Sequence, residues 1–150
     1  MEKVLDKLEK RFRNKLPALE GAIEESVAWL TQKGVGPQSL YLARFTIEEM
    51  GTNILKYAYK DDLAHEIFLS LSITSSHLMI VFEDDGHEFN PLHAPQPKTS
   101  GGIEERSPGG LGIWLVQKFG EIDYSRIDAR INRVKVSLRL DCVIQSEDIL

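Results

Sequence analysis

Cysteine is almost missing from this chain. Cys142 is the sole example, so no disulfide can close within it, and a reducing compartment is the expected setting. Long apolar runs are missing too: no stretch approaches the roughly 20 residues that a membrane-crossing helix needs. The charged N-terminus lacks the apolar segment of a secretory leader. A cytoplasmic protein with no membrane partner is therefore expected. Nor is there an excess of positive charge, since 18 Lys and Arg stand against 23 Asp and Glu for a net charge of −5. Without a sustained basic face, nucleic acid is disfavoured as a partner. The exception is the start, where Lys3, Lys7, Lys10, Arg11, Arg13 and Lys15 outnumber Glu2, Asp6 and Glu9, most simply as a solvated edge. Repeats and low-complexity tracts are absent.

What is present is an ordinary globular composition. With 150 residues, 42% hydrophobic and 27% charged, a single domain over 1–150 with a proper core is expected. Residues 1–15 fit two readings, a helix through Val4, Leu5, Leu8 and Phe12 or a short edge strand from Leu8 to Arg13. Leu19, Ile23, Val27 and Leu30 predict an amphipathic helix from Pro17 to Lys33. Gly34-Val35-Gly36-Pro37 ends it, and Ser39 is placed to cap the next helix, which runs to about Tyr59. Alternation predicts strands over Ile67 to Ile73 and Leu78 to Phe82, joined as a hairpin at Ser75-Ser76. Residues 90–108 hold four of the six prolines, a long loop of the kind that usually carries function. A short helix from Ile113 to Phe119 and two strands, near Ile122 to Ile127 and Arg133 to Leu140, complete the pattern, with a frayed end from Gln145 to Leu150. The fold class is α+β, a two-layer sandwich with a mostly antiparallel mixed sheet and helices packed on one face.

Three short motifs stand out. In the second helix Glu49 and Asn53 are four apart, one turn from each other beside the apolar face made by Ala43, Ile47, Met50, Ile54 and Ala58. A carboxylate above a carboxamide can hold a hard cation and a reacting oxygen together, although alone such a pair is more often a surface Glu and a solvated Asn. Asp84 ends an apolar strand, placed to accept from the exocyclic amine of adenine, and Gly86 lets a flat ring approach the backbone. As a lone Asp-x-Gly this is more often an ordinary turn. Gly109-Gly110-Leu111-Gly112 leads into a helix, whose first N–H groups and positive dipole end suit a phosphate; a glycine hinge is the plainer alternative. It is neither a P-loop, which needs Gly-Lys-Ser/Thr, nor a dinucleotide fingerprint, which follows a first strand.

The order of these motifs resembles the GHKL ATP-binding fold shared by gyrase, histidine kinases and mismatch-repair ATPases, and within it the anti-sigma-factor group of serine/threonine protein kinases. Glu49 to Asn53 resembles the N box, Asp84-Asp85-Gly86-His87-Glu88-Phe89-Asn90-Pro91 the Asp-x-Gly-x-x-Phe-Asp-Pro box, and Gly109 to Ile113 with Leu115-Val116 the second glycine box. Asn132-Arg133-Val134 before the last strand also fits, and the similarity spans about residues 17–140. The resemblance implies that Asn53 ligates Mg²⁺, Asp84 binds the adenine amine, Gly86 lines the base pocket, and Gly110, Leu111 and Gly112 lie at the phosphates. Glu49 would be the base for in-line attack on the γ-phosphate of ATP, and residues 91–108 would form the lid. Lys56 and Arg106 are further candidates to neutralise phosphate charge. Histidine kinases of this fold usually carry Asn at the Glu49 position and need a phosphoacceptor His on a preceding helix pair, whereas His65, His77, His87 and His93 all come later. Glu88 replaces a frequent second glycine, Tyr57 a frequent His, and Lys56 resembles the histidine-kinase version of the N box. The implied activity is an Mg-ATP-dependent serine/threonine kinase acting in transcription regulation. Its partner would be a STAS-domain anti-anti-sigma protein, with a sigma factor sequestered in turn and a homodimer as the family's frequent state. A nucleotide-sensing switch without kinase activity and a histidine-kinase-like ATPase domain are the alternatives.

Overall fold

The computed structural model describes residues 2–93 and 110–140, the side chains of 110 and 111 excepted. Eight elements follow in order: β1 (Asp6–Arg13), α1 (Leu16–Gln32), α2 (Pro37–Tyr57), β2 (Glu66–Ile73), β3 (His77–Asp84), α3 (Gly110–Phe119), β4 (Gly120–Ile127) and β5 (Ile131–Arg139), with a single 3₁₀ turn at Pro91–His93. The strands form one sheet in the order β1-β2-β3-β5-β4. Every pairing is antiparallel, so the sheet is not mixed as expected. The α+β sandwich itself stands.

Alternation along the strands decides which face the helices cover. Ile67, Leu69 and Leu71 of β2, Leu78, Ile80 and Phe82 of β3, and Val134, Val136 and Leu138 of β5 are all buried. Register aligns them into rows, one of which crosses all five strands through Leu8, Leu71, Ile80, Val136 and Ile122. Against this face pack Leu19, Ile23 and Leu30 of α1 and Leu42, Ala43, Ile47, Met50 and Ile54 of α2. The periodic spacing of those residues is what makes each helix one-sided.

The two readings of the N-terminal stretch resolve in favour of the strand. β1 pairs along its whole length with β2, from Asp6 opposite Ile73 to Arg13 opposite Glu66. Pro17 lies in the first turn of α1, as its fixed φ favours. Ser39 is not a cap: Gly36 holds that position without a side-chain bond, and α2 has already begun at Pro37. The Ser39 hydroxyl instead donates to the carbonyl of Leu140, fastening the start of α2 to the end of the last strand. The helix expected from Ile113 begins at Gly110, which takes the glycines into its first turn. Residues 94–109, Cys142 and the stretch Gln145 to Leu150 lie outside the described residues. Among the described residues no helix is long and apolar enough to cross a membrane.

Candidate functional site

The inward rows of the sheet turn polar at one end. Two residues beyond the row Phe82, Val134, Tyr124 comes the row Asp84, Asn132, Arg126, on the same three strands. Asp84 and Asn132 are 5% and 1% exposed. The C-terminal half of α2 lies over this end and contributes Asn53, which is 3% exposed. Asn53 and Asp84 line one narrow cavity together with Met50, Ile54, Phe89 and Val134. Its volume is about 10 Å³, close to the space of one water molecule. A larger hollow of about 590 Å³ lies over the opposite face of the sheet, around Phe68, Met79 and Val81, and includes none of these site residues.

Asp84 is buried but not without partners. Burial raises its pKa, while hydrogen bonds from Asn132 and the Gly86 N–H and the charge of Arg126 act against the rise. Both bonds fall on Oδ1, each at 2.9 Å. Asn132 in turn accepts at Oδ1 from the Tyr124 hydroxyl at 2.6 Å and from Arg126 Nη1 at 3.0 Å, and its Nδ2 also donates to the carbonyl of His87 at 2.8 Å. Arg126 Nη1 donates further to the Gly86 carbonyl at 2.8 Å. The loop after β3 is thus tied to β4 and β5 through buried polar groups.

On α2, Glu49 is half-buried, and burial raises its pKa against the pull of the Lys56 charge and the Asn53 amide. The Asn53 amide is near enough to Glu49 to act on its pKa, yet Glu49 Oε1 and Asn53 Nδ2 are both buried and neither has a partner in hydrogen-bond geometry among the described residues. Native interiors rarely leave such atoms unpaired unless a ligand or water meets them. Lys56 is exposed in the last turn of the helix. The first turn of α3 abuts Glu49, because a Cβ on Gly112 would overlap the Glu49 carboxylate. Gly110 begins that helix and Leu111 follows, the side chain of Leu111 lying outside what is described. Arg106 is outside the described residues. Gly86 meets α2: a Cβ there would overlap the Ala58 carbonyl, so the glycine is required by a backbone approach to the helix end. Its vacant side faces that carbonyl, and among residues 84–89 it is Asp84 and Phe89 that line the cavity.

The structure therefore brings Asn53 and Asp84 to one cavity, with Glu49 one turn away on α2 and Gly112 against Glu49. Sequence reasoning quoted Asn132 without giving it a role and passed over Arg126 and Tyr124. The available signal was a polar residue where the inward alternation calls for an apolar one, at the ends of Leu138, Val136, Val134, Asn132 and of Ile122, Tyr124, Arg126. Tyr57 at the end of α2 stacks on Phe89, one of the residues lining the cavity, with ring centroids 5.2 Å apart.

A family model described as histidine kinase-like ATPase domain matches residues 12–138. The chain is 27% identical over 106 residues to serine-protein kinase RsbW of Oceanobacillus iheyensis, covering 61% of this chain and 64% of that protein. It is 28% identical over 78 residues to serine-protein kinase RsbW of Bacillus subtilis, covering 49% of each. Serine/threonine-protein kinase BtrW of Bordetella bronchiseptica is 25% identical over 109 residues, 69% of this chain and 77% of that one. The matches thus span about half to two thirds of the length of the two RsbW proteins. With a family model running from the edge strand to the last strand, over the sheet, helices and motif order just described, the chain belongs to the histidine kinase-like ATPase domain family.

Proposed function

We propose that this chain binds Mg-ATP in the cleft between α2 and the polar end of the sheet and transfers the γ-phosphoryl group to a serine or threonine hydroxyl of a STAS-domain partner. The observation that carries the reading is the shared cavity of Asn53 and Asp84, beside which Glu49 Oε1 and Asn53 Nδ2 are buried and unpaired. Asp84 accepts from the adenine amine with whatever capacity its two N–H donors leave. The first turn of α3 directs its N–H groups to the phosphates. Glu49 is aligned to take the proton of the attacking hydroxyl, and its raised pKa suits a base working near neutral pH. The names of the three relatives, all serine or serine/threonine kinases, support this choice of acceptor.

Magnesium fits the donors present. A carboxamide oxygen is a hard ligand of the kind magnesium takes, and among the described residues no group of three or more His, Cys, Asp or Glu could hold a metal, so phosphate and water oxygens would have to complete the site. Asn53 Oδ1 would hold the ion, which would supply positive charge to offset that of the phosphates. The packing of Gly112 on the Glu49 carboxylate favours a second reading, a nucleotide-sensing switch that binds a partner without transfer. Incubation with γ-labelled ATP and a STAS-domain protein separates the two. Labelled serine or threonine on the partner is expected; tight complex formation with no label on the partner would overturn transfer and leave the switch. A sigma factor as the second ligand, homodimer formation and a cytoplasmic setting belong to the same proposal.

A further inference from the structure

His65 stands where three segments meet. Its N–H donates to Asn14 Oδ1 at 2.9 Å and its carbonyl accepts from the Asn14 N–H at 3.0 Å, which pins the residue to the turn between β1 and α1. Its ring lies on Tyr59, with a side chain 16% exposed. The two ring nitrogens face carboxylates from different parts of the chain. Nε2 meets Asp61 Oδ1 at 2.8 Å within the α2–β2 connection, and Nδ1 meets Asp85 Oδ1 at 3.1 Å in the loop after β3. A carboxylate only accepts, so each contact is a hydrogen bond only when the nitrogen facing it carries a proton. The charged imidazole satisfies both. A neutral imidazole has one N–H to give, and the shorter Asp61 contact takes it, leaving the Nδ1 lone pair against Asp85. Loss of one proton therefore releases the loop after β3 and keeps the bond within the α2–β2 connection.

The released residue matters to the cavity. Asp85 is the middle of the turn in which the Gly86 N–H donates to Asp84 Oδ1, and Asp84 lines the cavity with Asn53. The other ties of this turn are the Arg126 bond to the Gly86 carbonyl, the Asn132 bond to Asp84 and the His87 N–H on the Ala58 carbonyl. Their donors are a guanidinium, a carboxamide and a backbone N–H, none of which changes charge near neutral pH. The groups that face the His65 ring and backbone from the surrounding elements are Asp61, Asp85, the uncharged Asn14, and Tyr59, whose hydroxyl is kept protonated by burial and by the nearby aspartates. The Asp61 bond first and then, against burial, the two carboxylate charges raise the pKa of the ring, so its charged form persists nearer neutral pH. His87, an imidazole within the loop itself, faces the carbonyl of its neighbour Glu88 instead.

We propose that His65 is a positioning residue for the nucleotide: its charged ring ties the Asp84–Gly86 turn to the α2–β2 connection, and Mg-ATP binds more weakly once the ring is neutral. The inference rests on the nucleotide reading above and deepens it with a dependence on pH. By linkage, a ligand that favours the protonated ring takes up protons as it binds. Calorimetric titration of the whole chain with Mg-ATP at pH values from about 6 to about 9, in paired buffers of different ionisation enthalpy, reads affinity and proton uptake together. Relative to His65→Gln, wild-type affinity is expected to fall about threefold to fivefold across that range, the scale of a partly exposed charge pair. Wild type is also expected to take up protons on binding that His65→Gln does not. The titration of the ligand itself is common to both chains and cancels in the comparison. Asp85→Asn, whose amide meets either form of the ring, is expected to lose the same dependence, and His87→Gln to retain it. Should His65→Gln fail to fold, Asp85→Asn takes its place in the comparison. Parallel affinity profiles with equal proton uptake in wild type and variant would overturn the assignment and leave the nucleotide site intact, since a merely structural contact weakens binding equally at every pH. A chain that binds no Mg-ATP at any of these pH values would overturn both.

Discussion

Asn53 and Glu49 share a helix flank, yet they fail in different ways when altered. Asn53 is almost fully buried beside Asp84, and Asn53→Ala removes the carbonyl oxygen assigned to the ion. A ligand at a hundred times its Kd stabilises a folded protein by about 2.7 kcal/mol. That gain, read as a rise in Tm with Mg-ATP, is expected to vanish in Asn53→Ala; an undiminished rise would remove Asn53 from the site. Glu49→Gln keeps shape and volume, so binding is expected to persist while phosphotransfer falls at least about a hundredfold, the usual scale for a positioned base. Normal turnover would exclude Glu49 from proton transfer. The legibility of these residues follows from their chemistry. Glu49, Asn53 and Asp84 were readable because each lies in a short motif of fixed spacing. Arg126 was not, because its role depends on register: it becomes Asn132's neighbour only when β4 pairs with β5.

At the scale of the elements, helix packing turns on glycines that look alike in sequence. Gly51 of α2 faces α1 so closely that a Cβ would stand 2.5 Å from Leu19 Cδ1, in a side chain with no exposure of its own. Gly21 of α1 has nothing within 4 Å of the same point. Replacing a helix-interior glycine by alanine gains roughly 1 kcal/mol from backbone entropy, whereas overpacking a filled core costs about 1–3 kcal/mol. Gly21→Ala is therefore expected to raise the urea midpoint and Gly51→Ala to lower it. Equal shifts in one direction would mean that α1 and α2 are not in this contact. The helices were legible from their apolar spacing. β1 was not, because Leu8 and Phe12 suit a helical face as well as alternate strand positions, and only pairing with β2 separates the two. Ser39 was misread as a cap because its partner, the Leu140 carbonyl, lies 101 residues away.

Across the whole molecule the layer class was readable and the strand order was not. Alternation tells which face a strand buries but not its neighbour, so the insertion of β5 between β3 and β4 has no local sign. The same long-range pairing assembles the charges that set the response to pH. His65, just before β2, stacks on Tyr59 at 4.2 Å and reaches Asp61 through Nε2 at 2.8 Å and Asp85 through Nδ1 at 3.1 Å. Only the protonated ring donates to both carboxylates. Its pKa is raised above the ordinary 6.5, first by the Asp61 bond and then, against partial burial, by the two charges. A raised folded pKa means that this stabilisation is complete below 6.5 and is lost as the pH climbs through the raised value. Glu49 and Asp84, raised by burial above 4.5 and 3.8, act in the same sense at lower pH. Glu2, lowered from 4.5 to about 2 by hydroxyls of the β2–β3 turn, and Asp6 and Asp61, lowered from 3.8 by bonds to Lys33 and His65, act in the opposite sense. Their contribution is present above those ordinary values and fades as acid protonates them. Stability of the unliganded chain is therefore expected to peak between 4.5 and 6.5 and to decline on both sides. Urea unfolding at pH values from about 3 to about 9 measures this, and His65→Gln, which cannot carry the charge, is expected to flatten the alkaline limb, to remove the Asp61 share of the acid limb and to leave the Glu2 and Asp6 share in place. An alkaline limb of equal slope in wild type and His65→Gln would show that the two aspartates do not hold a charged imidazole between them.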